Sequence, residues 1–242
     1  MTRKRADVVL VERGFFTSRA RAQEAIAAGL VTVDGVPVKK PSDAVADDAV
    51  ITAVQPHPYV SRGGMKLAAA LDAFGIDPKG CACLDIGAST GGFTQVLLMR
   101  DARHVYAVDV GHSQLHPKVA GDPRVTNLEG TDARSLSAAL IPEPADLLVT
   151  DVSFISLKLV LPAAVAFLKP RAKLAVLVKP QFEAGRDHVK KGIVRDEAVH
   201  SAVCDDIAAF VASLGFSVDG IVPSPIEGGD GNREFLLGAR RG

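Results

Sequence analysis

The sequence predicts an α/β fold, a doubly wound and mostly parallel sheet of seven strands, preceded by a small α+β unit. Three observations carry that prediction. From about residue 60 onward, apolar runs of strand length alternate with stretches of helical periodicity. Those runs are continuously apolar, as strands covered by helices on both faces must be. Residues 1–54 lack this alternation, and "QPHPY" at 55–59 sets them apart with a proline-rich joint stiffer than a Gly/Ser linker. A chain of 242 residues is long enough for one large domain and a small one. The expected organisation is a unit over 1–54, a linker over 55–59 and a large domain over 60–242.

In the small unit, "RADVVLVERGF" spaces its apolar residues as a helix and ends at Gly14. "TSRARAQEAIAAGL" follows as a second helix, with Thr17 or Ser18 as cap and Gly29 as its end. "VTVDGVPV" is a hairpin turning at an Asp-Gly pair, and "AVITAV" supplies a further strand. In the large domain, strands are expected at "ACLDIGA", "HVYAVDVG", "VTNLEGTDAR", "ADLLVTDVSF" and "KLAVLVK", and helices at "TGGFTQVLLMRD" and "LVLPAAVAFLK". A further helix runs across "EAVHSAVCDDIAAFVASLGF", where Val199, Val203, Ile207, Phe210, Val211 and Leu214 recur at helical spacing before Gly215. "FSVDGIVPS" and "REFLLGAR" are strands joined by the glycine-rich "PIEGGDGN". With no helix between them, they imply one antiparallel edge.

Composition excludes several classes. Hydrophobic residues make up 48% and charged residues 23%, which fits a globular chain. The formal net charge is zero, so any nucleic-acid contact comes from local patches. No apolar run approaches the ~20 residues of a membrane span, and the basic "MTRKRAD" leads into no signal-peptide core, so a cytoplasmic protein is expected. Cys81, Cys83 and Cys204 are too few and too oddly placed for a disulfide framework. Neither Cys81-x-Cys83 nor His112 and His116 has partners at metal-binding spacing, so no metal is expected. Residues 1–40 hold eight basic against four acidic side chains. Arg3, Lys4, Arg5, Arg19, Arg21, Lys39 and Lys40, with Ser18, make a phosphate-binding front or an ordinary solvated face; charge alone does not choose.

"LDIGASTGGF" closes the first strand of the large domain and opens a helix. In such sheets ligands sit beyond the carboxyl ends of the strands, where glycines admit close backbone approach. A phosphate loop needs Lys and Ser/Thr after the last glycine, and Phe93 and Thr94 stand there instead. A dinucleotide fingerprint needs a glycine where Ser89 stands. S-adenosylmethionine carries no pyrophosphate, so it relaxes that spacing. Asp109, at the end of the second strand, can accept from its ribose hydroxyls, and Asp132 in "GTDAR" can meet its adenine amine. The expected cofactor site comprises Asp85, the loop Gly87, Ala88, Ser89, Thr90, Gly91, Gly92 and Phe93, then Asp109 with Val110 and Asp132 with Ala133.

The segment after the fourth strand narrows the choice of methyl acceptor. "TDVSFIS" lacks the Pro-Pro of base-amine methylation, and no cysteine follows the fourth or a later strand as a nucleophile for carbon methylation. A hydroxyl acceptor is left. A ribose hydroxyl is a weak acid, and a lysine can take its proton only where desolvation or another cation disfavours the ammonium. Lys66 in "SRGGMKL", Asp151 after the fourth strand, Lys179 after the fifth and Glu234 at the start of the last supply two such lysines with carboxylates to orient them.

Together, "GASTGGF", "DVSFISL", "LVKPQFE" and "SRGGMKL" resemble the TlyA, or haemolysin A-like, family of ribosomal RNA 2′-O-methyltransferases. "SRARAQEAIAAGLVTVDG" resembles the alpha-L RNA-binding domain of a small-subunit ribosomal protein. The resemblance spans nearly the whole chain. It implies a Rossmann-like class I methyltransferase domain of FtsJ type, S-adenosyl-L-methionine as cofactor, and a Lys-Asp-Lys-Glu tetrad falling on Lys66, Asp151, Lys179 and Glu234. It also implies cytidine riboses of ribosomal RNA as substrate. Family members acting on both subunits carry an extra C-terminal helix; ending at "LLGARRG", this sequence is expected to act on the large subunit. "GRDHVKKGIVRD" follows Lys179 directly, so Arg186, Lys190 and Lys191, with Arg62, are expected to hold RNA. Either lysine of the tetrad can be the base; Lys179 is the preferred one. A membrane-active protein, as the older family name implies, and a non-catalytic RNA-binding module are the rival readings. The expected partner is the ribosomal RNA or subunit, bound by a monomer.

Overall fold

The computed structural model describes residues 3–228 and 231–242, and the chain divides into two compact units, Met1–Pro58 and Tyr59–Gly242. In the first, strand β1 (Arg3–Arg5) leads into helix α1 (Ala6–Glu12). Helix α2 (Arg19–Ala27) starts at Ser18, whose side chain accepts from the Arg21 amide at 3.4 Å. Strands β2 (Val31–Val33) and β3 (Val36–Pro37) form the expected hairpin. Its turn residues Asp34 and Gly35 both have positive φ, as a two-residue turn of this hand requires. Strand β4 (Ala44–Ala46) pairs with β1, and β5 (Ile51–Ala53) pairs with β2. Leu10, Phe16, Ala22, Ile26 and Val31 form the core. The β1–β4 pair was not legible in the sequence, because Arg3–Arg5 is an exposed run of cations with no apolar alternation to mark a strand.

Asp7 organises this unit. Its side chain is fully buried, and it accepts from Arg5 (3.0 and 3.2 Å), Arg19 (2.8 and 3.1 Å) and Gln23 (2.7 Å). The Arg5 guanidinium first, then Arg19 and Gln23, hold its carboxyl far below the usual carboxylate range against the opposing cost of burial.

In the second unit, helix α3 (Gly63–Ala73) precedes β6 (Ala82–Ile86), α4 (Gly92–Met99) and β7 (His104–Asp109). Next come α5 (Pro117–Ala120), β8 (Val125–Glu129), β9 (Ala145–Thr150) and α6 (Leu157–Ala164). The chain continues through β10 (Leu168–Val178), α7 (Pro180–Glu183), α8 (Glu197–Ser213), β11 (Ser217–Pro223) and β12 (Phe235–Arg240). The seven strands lie in the order β11-β12-β10-β9-β6-β7-β8. Leu67, Leu71 and Leu97 from α3 and α4 pack in one core cluster, and Leu157, Leu161, Ile207 and Val211 from α6 and α8 in another, so the sheet is covered on both faces as expected. From β6 the chain steps outward to β7 and β8 on one side and to β9 and β10 on the other. The switch point therefore lies at the carboxyl end of β6.

One expected boundary needs correction, and the structure adds detail at two other places. The last two strands form the expected antiparallel pair at one edge of the sheet, with β11 outermost and β12 inserted between β10 and β11. The helix expected through "LVLPAAVAFLK" ends at Ala164; a 3-10 turn, Val165–Phe167, follows it, and Leu168 already begins β10. α5 and α7 are single turns opened by Pro117 and Pro180, too short to show periodicity.

Asp7→Ala is expected to loosen the first unit, because two guanidinium groups and an amide lose a shared buried acceptor, at a cost on the order of 2 kcal/mol. Amide hydrogen exchange of the full chain reads this as faster exchange over α1 and α2, with β6 and β9 unchanged.

Candidate active site

Four titratable side chains meet at one end of the sheet. Asp151 follows the last residue of β9 and Lys179 the last residue of β10. Glu234 precedes the first residue of β12. Because β12 runs antiparallel, its start lies beside the end of β10: Val178 pairs with Phe235, while Val176 pairs with Thr150 of β9. Lys66 comes from the first turns of α3. Its Nζ donates to Glu234 Oε2 at 2.5 Å, and both residues are buried. Lys179 is 7% exposed, and its Nζ stands 2.5 Å from Asp151 Oδ1. That contact is an ion pair without hydrogen-bond alignment; the hydrogen bond of Lys179 Nζ goes to Ser153 Oγ at 2.9 Å. A Cβ added to Gly63 at the start of α3 would stand 3.6 Å from Asp151 Oδ2, so the helix bearing one lysine abuts the carboxylate of the other pair.

The glycine loop adjoins this cluster. Gly87 has φ +83°, and a Cβ there would meet the Asp151 carbonyl oxygen at 2.7 Å, so only glycine lets the loop lie against the end of β9. The Asp151 amide in turn donates to the Ile86 carbonyl at 3.1 Å. Gly91, with φ +89°, opens α4, leaving Ala88 and Phe93 buried and Ser89 and Thr90 exposed. Asp109 accepts from the Ser89 amide (2.8 Å) and the Gly111 amide (2.7 Å), bracing loops on both sides, while its neighbour Val110 is 70% exposed. Asp85 is fully buried. Its Oδ2 accepts from Thr94 Oγ1 at 2.6 Å, and its Oδ1 has no hydrogen-bond partner among the described residues. Burial pushes this carboxyl up to about 7.

Other expected residues are placed differently. Asp132 does not end the third strand, which stops at Glu129; it caps the turn containing Ala133 and is paired with Arg134, whose guanidinium lowers its carboxyl to about 2. Lys4 pairs with Glu12, and Arg5 and Arg19 with Asp7, so part of the basic front is neutralised in place. Arg21 donates to Gln55 and to the His57 carbonyl. Arg3, Lys39 and Lys40 are exposed and make no ion pair among the described residues. Arg62 donates to the Glu227 carbonyl at 3.0 Å, tying the start of α3 to the loop ahead of Glu234. Lys190 and Lys191 stand on a tight turn closed by paired Lys190 and Ile193 backbone bonds; the Arg186 side chain lies outside the described residues. That turn is fastened by buried Asn232, which accepts from the Val194 amide and donates to the Gly192 carbonyl.

The sequence reading missed Ser153, Phe154 and Phe182. Phe154 is 91% exposed with φ +65°, and its ring lies 5.1 Å from that of Phe182, which itself stands 5.9 Å from Lys179 Nζ. Phe154, Ile155, Leu159, Phe182 and Val189 line an open apolar groove of about 600 Å³. The available signal was a phenylalanine in the polar segment "TDVSFIS" directly after a strand end.

Comparison with known proteins identifies the family of each unit. The FtsJ-like methyltransferase family matches residues 59–241, and the S4 domain matches residues 4–51. The 16S/23S rRNA (cytidine-2′-O)-methyltransferase TlyA of Mycobacterium tuberculosis is 46% identical over 241 residues, covering 98% of this chain and 90% of that protein. The 23S rRNA (cytidine-2′-O)-methyltransferase TlyA of Campylobacter jejuni is 36% identical over 199 residues, covering 81% of this chain and 76% of that protein. A Streptococcus thermophilus protein described as a hemolysin superposes with a TM-score of 0.79 at 41% identity, covering 100% of this chain and 89% of that one. No helix among the described residues is long and apolar enough to cross a membrane. The chain belongs to the FtsJ-like methyltransferase family, in its TlyA branch, with an S4 domain ahead of the methyltransferase domain.

Proposed function

We propose that the protein is an S-adenosylmethionine-dependent methyltransferase acting on a cytidine 2′-hydroxyl of large-subunit ribosomal RNA. The observation that carries this reading is the pair of buried lysine–carboxylate contacts at the sheet end, beside the glycine loop. The large-subunit RNA is the substrate common to the names of both TlyA relatives.

The residues present fit the cofactor. Asp85 Oδ1 is a buried acceptor with no hydrogen-bond partner among the described residues, Gly87 and Gly91 hold the loop in positive-φ conformations at the end of β6, and Asp109 keeps lone pairs free for hydroxyl donors. When bound there, S-adenosylmethionine supplies an electrophilic methyl group. The chain's own task is the proton. Lys179 is the base: Ser153 and Phe154 beside it are exposed, so its Nζ faces the side from which substrate arrives. The 2′-O–H bond breaks as an N–H bond forms on Nζ, and Asp151 stabilises the resulting ammonium. Lys66, locked against Glu234, places a fixed positive charge near the oxyanion that develops. Phe154 presents a π-face to a splayed nucleobase, the usual handle on single-stranded RNA. Arg3, Lys39 and Lys40 of the S4 domain and the Lys190–Lys191 turn supply uncommitted cations for phosphates.

Two outcomes test this reading. Lys179→Ala binds S-adenosylmethionine in calorimetry as the wild type does, yet transfers methyl groups to isolated large subunits at least about 100-fold more slowly; wild-type turnover would refute the assignment. The second concerns Asp85. Its folded-state value of about 7 lies above that of an unfolded Asp near 3.9, so stability present below about pH 4 is lost as pH rises through about 7. In urea titrations without ligand, Asp85→Asn gains stability over the wild type between about pH 5 and about pH 8, and in calorimetry it binds S-adenosylmethionine about tenfold or more weakly.

A further inference from the structure

We propose that Ser153 is the positioning residue of the proton-accepting lysine. Its hydroxyl aims Lys179 Nζ and serves the amine in both protonation states. The inference rests on Lys179 being the base.

Three observations carry it. First, the hydrogen bond from Lys179 Nζ to Ser153 Oγ, 2.9 Å, is the aligned one; Asp151 Oδ1 is closer at 2.5 Å but has no hydrogen bond directed onto it. Asp151 therefore supplies charge, and Ser153 supplies direction. Second, the two partners differ in chemistry. A carboxylate only accepts, so it favours the ammonium, whereas a hydroxyl both accepts and donates. Before transfer, an N–H of the neutral amine can point at Ser153 Oγ and leave the lone pair turned to the acceptor oxygen. After transfer, the same N–H keeps its place while the new N–H bond occupies the position of that lone pair. Third, the segment bearing Ser153 is fastened to the segment bearing Lys179. Glu183, four residues beyond the lysine, accepts from Ser156 Oγ at 2.6 Å and from the Leu157 amide at 2.8 Å. The rings of Phe154 and Phe182 also meet, joining the same two segments nearer to Ser153 and Lys179. Ser153 is thus held in register with Lys179 by contacts on its C-terminal side, although it is itself exposed.

The experiment compares Ser153→Ala, Ser153→Thr and Lys179→Ala in methyl transfer to isolated large ribosomal subunits. Thermal melts and calorimetric S-adenosylmethionine affinity serve as controls. Ser153→Ala is expected to keep its melting temperature, its cofactor affinity and its KM for subunits within about twofold, while kcat falls about 10- to 100-fold. Ser153→Thr, which keeps the hydroxyl, returns kcat to within about threefold of wild type. Wild-type kcat in Ser153→Ala, or a threonine variant no faster than the alanine one, overturns the proposal while an inert Lys179→Ala leaves the base in place. An active Lys179→Ala overturns both.

Discussion

The site depends on the antiparallel seat of β12 between β10 and β11. Were β12 the outer edge, Glu234 would lie two strands from Lys179. Hydrogen-bonded directly to β10, it begins where β10 ends, and a carboxylate from the last strand reaches the lysine of the first long helix. The parallel strands β9 and β10 can deliver side chains to this end only from their carboxyl termini. The one reversed strand delivers from its amino terminus, and so adds a fourth residue without a further crossover.

The strands and both helical layers were legible because the strand cores are continuously apolar and the helices keep their spacing. Asp151, Lys179 and Glu234 were legible as charged residues beside apolar runs, and Lys66 as a lysine opening a helical stretch. The order of strands was not, since a loop between "FSVDGIVPS" and "REFLLGAR" specifies an antiparallel pair without saying which member lies inside. Nor were ion pairs within the basic front: counting charges over residues 1–40 cannot show that buried Asp7 draws in the exposed Arg5 and Arg19 as partners. Asp132 lies beyond the third strand because the strand stops at Glu129, which accepts from the Gln114 and Leu115 amides, and Gly130 with positive φ turns the chain before it.

"DVSFIS" and "KPQFE" read in sequence as two separate motifs. In the structure they form one object. Lys179 reaches Ser153, Phe182 meets Phe154, and Glu183 receives Ser156 and the first amide of α6. Pro180 matters to this arrangement: it ends β10 and starts a single helical turn, which brings Phe182 and Glu183 back towards the loop after β9.

Stability does not account for the buried lysines. Withdrawing an ammonium and a carboxylate from water costs several kcal/mol per ion, and their attraction often no more than balances it, so an apolar pair of like volume serves folding as well. Lys66 and Glu234 bear that cost among well-packed leucines. A fold under no chemical demand has no reason to place a second lysine–carboxylate contact at the same sheet end, with a glycine loop pressed against its aspartate. The proposed proton transfer supplies the demand: an amine shielded from water but fixed in direction, and a neighbouring cation that cannot itself swing away because Glu234 holds it.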